Sequence, residues 1–417
     1  MSPENDDRSQ KARTQHLNEK YPGLEVLSTE PENARTDSRA NLASYLTPRE
    51  QHYIRNHYRT PEIDAAEWRV SLTGMVEETV DLSIDALKHD FPTESVVHMM
   101  ECSGNGRAYF EPDAEGDQWT YGALGNAVWT GTPVREVLAE YGSATEEGLW
   151  LSVMGGETIE EEDVFCRSIP MSKILDDCLL AYEMNGTPLK PEHGYPVRLL
   201  VPGWFGNNSV KWVDRMYVMD RMVAGEDWQS VDGRDYTTYQ QSSYRIVPAQ
   251  DDTPESYASI EEFSTYDQLR ATDEIHNAYL FDQLVKSLVI SPEDGATLSA
   301  ASSGRIEIMG VAWSGEDPVE RVEVSADGGE TWDDAEFVGP DLGPYAARKF
   351  RYSWEPLSGT HRLLSRATDE QGRTQPATIS DPDEGLRGID DGKFPWNQKG
   401  YANDAYGPLG VTVTVED

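Results

Sequence analysis

The chain has 417 residues, 38% of them hydrophobic, which is enough for about two or three domains with ordinary cores. Its 75 acidic residues against 35 basic ones give a formal charge of -40, spread along the whole length; this excludes a nucleic-acid binder built on basic patches and fits a surface solvated for concentrated salt, as in a halophilic archaeon or bacterium. No apolar run reaches the roughly 18 residues of a membrane helix, and the start, MSPENDDRSQKARTQ, carries neither an apolar export core nor paired arginines, so a cytoplasmic protein without a membrane span is expected.

In chain order, residues 1–45 are polar, with few aromatics before Tyr45, and read as a loosely held arm. EWRVSLTGMV (67–76) reads as a strand, and SIDALKHDFP (83–92) as a helix stopped by proline. VREVLAEYG (134–142) is a second helix, closed by Gly142. YPVRLLVPGW (195–204) and SVKWVDRMYVMD (209–220) read as strands around a Gly-Asn turn. Residues 46–225 therefore form a mixed α+β domain. Residues 226–283, rich in Ser, Thr, Asp, Gln and Tyr, show no clear period and read as an extended connection packed on that domain. Its length suggests that it carries function.

From residue 284 the pattern changes. SLVISP, RIEIMGVAW, RVEVSADGGETW, KFRYSWEP, THRLLSRATD and GVTVTVED are short alternating strands with Asp-Gly and Gly-Gly punctuation. Residues 284–417 read as an immunoglobulin-like β-sandwich, without the Cys-Trp-Cys spacing of antibody domains.

Three cysteines, with no C-x-x-C pair, argue against a zinc site of that kind and against a disulfide framework. Cys178 in DDCLLAYEMNG reads as a small core residue, and Cys166 in VFCRSIP is open. Cys102 differs. In ESVVHMMECSGNGRAYFEP (94–112) it ends an apolar run and opens the turn Ser103-Gly104-Asn105-Gly106, followed by Arg107. Taken alone it is an ordinary turn cysteine. With N–H groups free to form a nest and an arginine at hand, it suits a thiolate ligand for a soft metal.

A second cluster, YIRNHYRTP (53–61), holds Arg55, Asn56 and His57; alternation aims Arg55 and His57 one way and Asn56 the other. Alone it could be a solvated edge strand. A third, EHGYPVRLLVPGWFGNNSVKW (192–212), presents His193, Arg198, Ser209 and Lys211. Lysine is scarce, with 10 in the chain, and one flanked by Val210 and Trp212 needs an anionic partner. Arg, His, Ser and Lys together suggest a phosphate.

Taken together, these stretches resemble the sulfite oxidase family of molybdopterin enzymes. The similarity extends to GALGNAVWTGTPVREVL (122–138), LLAYEMNGTPL (179–189) and RVEVSADGGETW, and covers roughly residues 50–417. It implies a molybdopterin-binding domain followed by a dimerisation sandwich, and hence a homodimer. It implies that Cys102 is the protein ligand of molybdenum. Asn56, His57, His193, Arg198, Ser209, Val210 and Lys211 would hold the pterin and its phosphate. Arg55 and Arg107 would receive an oxyanion, Trp119 would line the pocket, and Tyr244 in QQSSYR would stand near the metal. Two positions depart from the animal and plant pattern, which has arginine where this chain has Gly106 and Lys399. Lysine lacks the planar fork, so that anion contact is altered. No C-x-x-C-H is present, so a chain without haem that passes electrons to a separate acceptor is expected. The implied reaction is sulfite oxidation by oxygen transfer on a molybdenum-molybdopterin cofactor. Reduction of nitrate or another oxyanion on the same cofactor is the alternative. A non-catalytic β-sandwich interaction protein is disfavoured by the presence of Cys102, Arg198 and Lys211.

Overall fold

The computed structural model describes residues 13–36, 38–156, 165–223, 240, 243–247, 249, 264–270, 278–299, 304–384 and 392–416. In chain order the first strands are β1 (Leu24–Thr29), β2 (Glu32–Thr36), β3 (Ile54–Arg55), β4 (Arg69–Gly74), β5 (Val80–Ser83), β6 (Glu94–Glu101), β7 (Leu124–Pro133), β8 (Trp150–Gly155), β9 (Cys166–Pro170), β10 (Leu179–Met184), β11 (Thr187–Pro188), β12 (Arg198–Leu200) and β13 (Val213–Met219). Two five-stranded sheets result. One runs β11-β10-β7-β6, with β12 also on β10; the other runs β5-β4-β13-β8-β9. Val70, Leu72, Val153 and Met216 from the second sheet pack against Leu180 and Leu199 of the first in one continuous core.

Short helices close that core, and their boundaries follow from local chemistry. Ser83 caps the helix Ile84–His89 by accepting the N–H of Ala86 at 3.0 Å, Asp85 sits in its first turn, and Ile84 and Leu87 face inward. In the helix Val134–Glu140, Val134, Val137 and Leu138 fall on one face and are fully buried.

Two sequence readings change. Residues 24–36, read as part of a loose arm, form β1 and β2, which pair with each other and, through β2, with β3 in a separate sheet. The cause is a small core, in which Leu17, Tyr21, Leu24 and Ala34 bury against Ile54. Lys211 is not inside a strand: Trp212 takes a left-handed φ of 52°, and β13 begins only at Val213. The connection contributes to a second core. Its described parts, β14 (Arg245–Ile246), the helix Thr265–Arg270 and β15 (Ala278–Tyr279), bury Tyr244, Ile246, Tyr266, Leu269 and Leu280 with Phe394 and Tyr401 from near the C-terminus.

The C-terminal part forms β16 (Lys286–Ser291), β17 (Thr297–Ser299), β18 (Ile306–Trp313), β19 (Val319–Ser325), β20 (Asp333–Asp334), β21 (Glu336–Val338), β22 (Arg348–Trp354), β23 (Gly359–Asp369), β24 (Thr378–Ile379), β25 (Lys393–Phe394) and β26 (Val411–Glu416). The sheets β16-β18-β22-β21 and β17-β26-β23-β19-β20 make a β-sandwich. Between them lie Val289, Ile308, Phe350 and Trp354 on one side and Val322, Val324, Leu363 and Val413 on the other.

Candidate active site

The site begins where β6 ends. Glu101 pairs with Leu124 in the β6–β7 ladder, and the N–H of Cys102 extends that ladder by donating to Ala123 O at 2.9 Å. The chain then turns: the N–H of Asn105 donates to Cys102 O, and that of Arg107 to Gly104 O. Gly106 sits at φ +92°, where a side chain would be strained, and a Cβ there would lie 3.0 Å from Asn403 Nδ2. A side chain at this position would also press on Asn403. Asn105 fixes the turn from within, accepting from Ala123 N at 3.0 Å and donating to Glu101 Oε1 at 2.8 Å.

Cys102 is thereby presented, nine-tenths buried, to the pocket. Burial pushes its thiol up, while Arg55, the N–H of Gly104 and Arg107 pull the other way. The thiol therefore keeps its proton more firmly than a free cysteine until a cation displaces it.

The pocket opens to solvent and, with the solvent space at its mouth, spans about 810 Å³. It gathers Arg55, His57, Cys102, Arg107, Trp119, His193, Arg198, Ser209, Lys211 and Tyr244. Stretches from four separate parts of the chain thus converge. Arg107 donates to the main-chain oxygens of Lys399 at 2.6 Å and Asp117 at 3.0 Å, and its guanidinium lies 5.2 Å from the Tyr401 ring centre. A Cβ on Gly116 would come within 2.6 Å of its Nη1, so only glycine allows that approach. Arg198 donates to His193 O at 3.1 Å and Ser209 O at 2.8 Å, and burial lowers it to about 10. Lys211 donates to the main-chain oxygens of Arg55 and Glu192 and to the side chain of Asn56. Arg55 donates to the carbonyl of Asn56. Burial works against the charge of Arg55, but Tyr244, Cys102, Tyr401 and Asp117 outweigh it and raise its pKa. Burial, then Arg55 and Arg167, lower His57 to about 3, so its imidazole is neutral at ordinary pH.

Three of the sequence candidates lie off the pocket wall. Asn56, fully buried, turns its side chain to Thr60 and Lys211 and its N–H to Asn33. Val210 packs in the main core, and its carbonyl accepts from Leu199 N. The ammonium of Lys399 points outward to Glu115, while its carbonyl holds Arg107. Conversely, His52, Tyr53, Phe165, Asn207 and Tyr401 line the pocket and were not singled out. Tyr53 and Asn207 lie within the quoted motifs, and Tyr401 follows the turn in WNQKGY. Tyr401 stacks on Tyr244 at 5.4 Å and 10°. Arg167, fully buried, lies over the rings of Phe165 and Tyr244 at 4.0 and 4.5 Å.

The donor set suits a pterin bearing a phosphate beside a thiolate-bound metal. Among the described residues, Arg198 Nε, His193 Nδ1 and Ser103 Oγ are buried with no hydrogen-bond partner, and all three residues line the pocket. Each such atom costs roughly 1–3 kcal/mol unless a ligand meets it. A phosphate and a pterin ring offer acceptors to the Arg and Ser groups and donors to an imidazole nitrogen.

Comparison with known proteins agrees. The oxidoreductase molybdopterin binding domain model matches residues 57–226, and the Mo-co oxidoreductase dimerisation domain model matches residues 278–389. The chain is 31% identical to a sulfite oxidase of Gallus gallus over 392 residues, covering 89% of this chain and 76% of that one. It is 29% identical to an NADH nitrate reductase of Spinacia oleracea over 383 residues, covering 87% and 37%. The sulfane dehydrogenase SoxCD of Paracoccus pantotrophus has a similar fold, with a TM-score of 0.70, 27% identity, and coverage of 96% of this chain and 92% of that one. The chain spans 64% of the length of the mitochondrial sulfite oxidase of Rattus norvegicus.

Proposed function

We propose, from the premise that this chain belongs to the sulfite oxidase family of molybdopterin-binding oxidoreductases, that it oxidises sulfite to sulfate on a molybdenum-molybdopterin cofactor. The observation that carries the reading is the partner choice of the pocket cations. Arg55, Arg107 and Arg198 are held by main-chain oxygens, and none has a carboxylate partner among the described residues. The one described carboxylate lining the pocket, Glu192, faces Lys20 at 3.9 Å. The site therefore keeps positive charge for an anion.

Cys102 holds the metal. His57, His193, Arg198, Ser209 and Lys211 hold the pterin and its phosphate, and Asn56 orients Lys211 from behind. When bound, that group supplies a two-electron oxidation in which sulfite gains an oxygen atom and leaves as sulfate. Arg55 and Arg107 draw the dianion in and orient it, with Trp119 and Tyr244 closing the wall against water. The two electrons pass to a separate acceptor, without haem in this chain. Residues 46–225 make the catalytic domain and 226–283 a connection that completes its wall. Residues 284–417 form an immunoglobulin-like sandwich that pairs two copies. The excess acid is a surface for high salt.

The likeness to a nitrate reductase keeps a second reading, oxyanion reduction on the same cofactor. One experiment separates them. Protein loaded with cofactor is assayed in high salt for molybdenum content, for sulfite-dependent reduction of an artificial acceptor, and for nitrate-dependent oxidation of a reduced dye. Sulfite activity is expected. Nitrate turnover without sulfite turnover would install the second reading, and no retained molybdenum would remove both.

A further inference from the structure

The turn that presents Cys102 is gripped from outside its own domain. Lys286 in β16 and Trp313 in β18 are directly opposite each other in their ladder. Both reach one carboxylate: Lys286 Nζ lies 2.6 Å from Glu101 Oε1, and Trp313 Nε1 donates to Glu101 Oε2 at 2.8 Å. The ion pair is dry, with side chains 5% and 1% exposed. Asn105 donates to the same Oε1 and so carries the grip into the turn. On the far side, Asn403 Nδ2 donates to Gly106 O at 2.9 Å, and Ala402 N donates to Ser103 O at 2.7 Å.

A buried ion pair is poor value as glue, since an apolar pair of similar volume often serves as well or better. What the pair supplies is direction. Two donors from a rigid sandwich fix both oxygens of the residue immediately before Cys102. A more ordinary interdomain contact exists for comparison: Lys173 meets Glu316 at 2.7 Å, with Glu316 45% exposed and no link to the turn.

We propose that the C-terminal sandwich is a positioning element for the site as well as a pairing surface, with Glu101, Lys286, Trp313 and Asn403 as the positioning residues that hold the Cys102–Arg107 turn in place. The consequence for metal binding rests on Cys102 being the ligand; the tether itself does not.

The test uses the full chain, with and without cofactor, as Trp313→Phe, Lys286→Met and the control Lys173→Met. Trp313→Phe keeps most of the packing and removes one N–H, so it remains informative where Lys286→Met fails to fold. In cofactor-free protein, amide exchange of residues 102–107 is expected to rise at least about tenfold in Trp313→Phe, with exchange in β23 unchanged. Alkylation of Cys102 should accelerate in parallel. Lys173→Met should leave both at parent values. In loaded protein, Trp313→Phe should release molybdenum faster than the parent. Unchanged exchange and alkylation in folded Trp313→Phe would overturn the proposal, as would an equal rise in the control. Faster exchange with a parent chain that binds no molybdenum would keep the tether and remove the function assigned above.

Discussion

Several cations of the outer surface pair with carboxylates, whereas the three arginines of the pocket are held by carbonyls. Outside, Arg35 meets Glu25 at 2.7 Å, Arg351 meets Glu336 at 2.8 Å, and Lys393 meets Glu384 at 2.5 Å. Inside, Arg55, Arg107 and Arg198 are held by carbonyl oxygens. A carboxylate fixes a guanidinium and neutralises it; a carbonyl fixes it and leaves the charge. In a chain of net charge -40, this leaves the pocket arginines their charge, and charges in a pocket shielded from water act over more of their range than those outside.

The comparison can be broken most severely at Arg198. Arg198→Met removes the charge and leaves His193 O and Ser209 O without their donor, at a cost of about 3 kcal/mol or more. We expect the variant to fold and to lose cofactor on desalting. Parent-level molybdenum after desalting would show that Arg198 is structural.

Arg55→Gln comes next. Loss of one charge-assisted contact in a dry pocket costs about 2–5 kcal/mol, so kcat/KM for sulfite should fall by about 30-fold or more, chiefly through KM. Unchanged kcat/KM would place Arg55 outside the substrate path.

A graded effect on stability should appear with pH. Burial lowers His52 to about 4 and His57 and His98 to about 3, against an ordinary value near 6.5. On acidification the unfolded chain binds protons first. Stability is therefore intact above about pH 6.5 and falls below it, by about 1.4 kcal/mol per pH unit for each histidine, until the folded values are reached. Urea unfolding of cofactor-free protein at pH 7.5, 6 and 5 measures this, and His98→Gln should reduce the slope. A flat profile would mean the imidazoles are hydrated.

The smallest effect belongs to Lys399. Its ammonium is paired with Glu115 at the surface, a contact worth under about 1 kcal/mol. Lys399→Ala should change the KM for sulfite by less than about threefold, whereas Gly400→Ala, whose Cβ would lie 2.7 Å from Arg107 Cγ, should raise it more. A large effect of Lys399→Ala alone would return that lysine to the substrate site.

What the sequence revealed follows how local each feature is. The Cys102 turn was legible because strand, thiol, glycines and arginine are consecutive, and the split of Arg55 and His57 from Asn56 follows from alternation along an extended segment. The helices Ile84–His89 and Val134–Glu140 were legible from spacing and from the proline and glycine that follow them. The outward turn of Lys399 was not, because matching a position to a family pattern fixes the backbone slot, and here the slot contributes its carbonyl. Tyr401 was missed because it reaches the pocket only through long-range packing, from the segment between β25 and β26, and Arg167 because it backs Tyr244 from β9 without a local motif of its own. The strands β1 and β2 were missed because their pairing with β3 rests on a few buried side chains in an otherwise polar stretch.

The most direct test of the central claim is the sulfur count at molybdenum, measured by X-ray absorption on loaded parent and Cys102→Ser proteins. The account predicts that Cys102→Ser folds, retains pterin through His193, Arg198 and Lys211, shows one sulfur ligand fewer than the parent, and no longer turns over sulfite; Cys166→Ser and Cys178→Ser should match the parent. An unchanged sulfur count in Cys102→Ser, with sulfite oxidised at the parent rate, would contradict it.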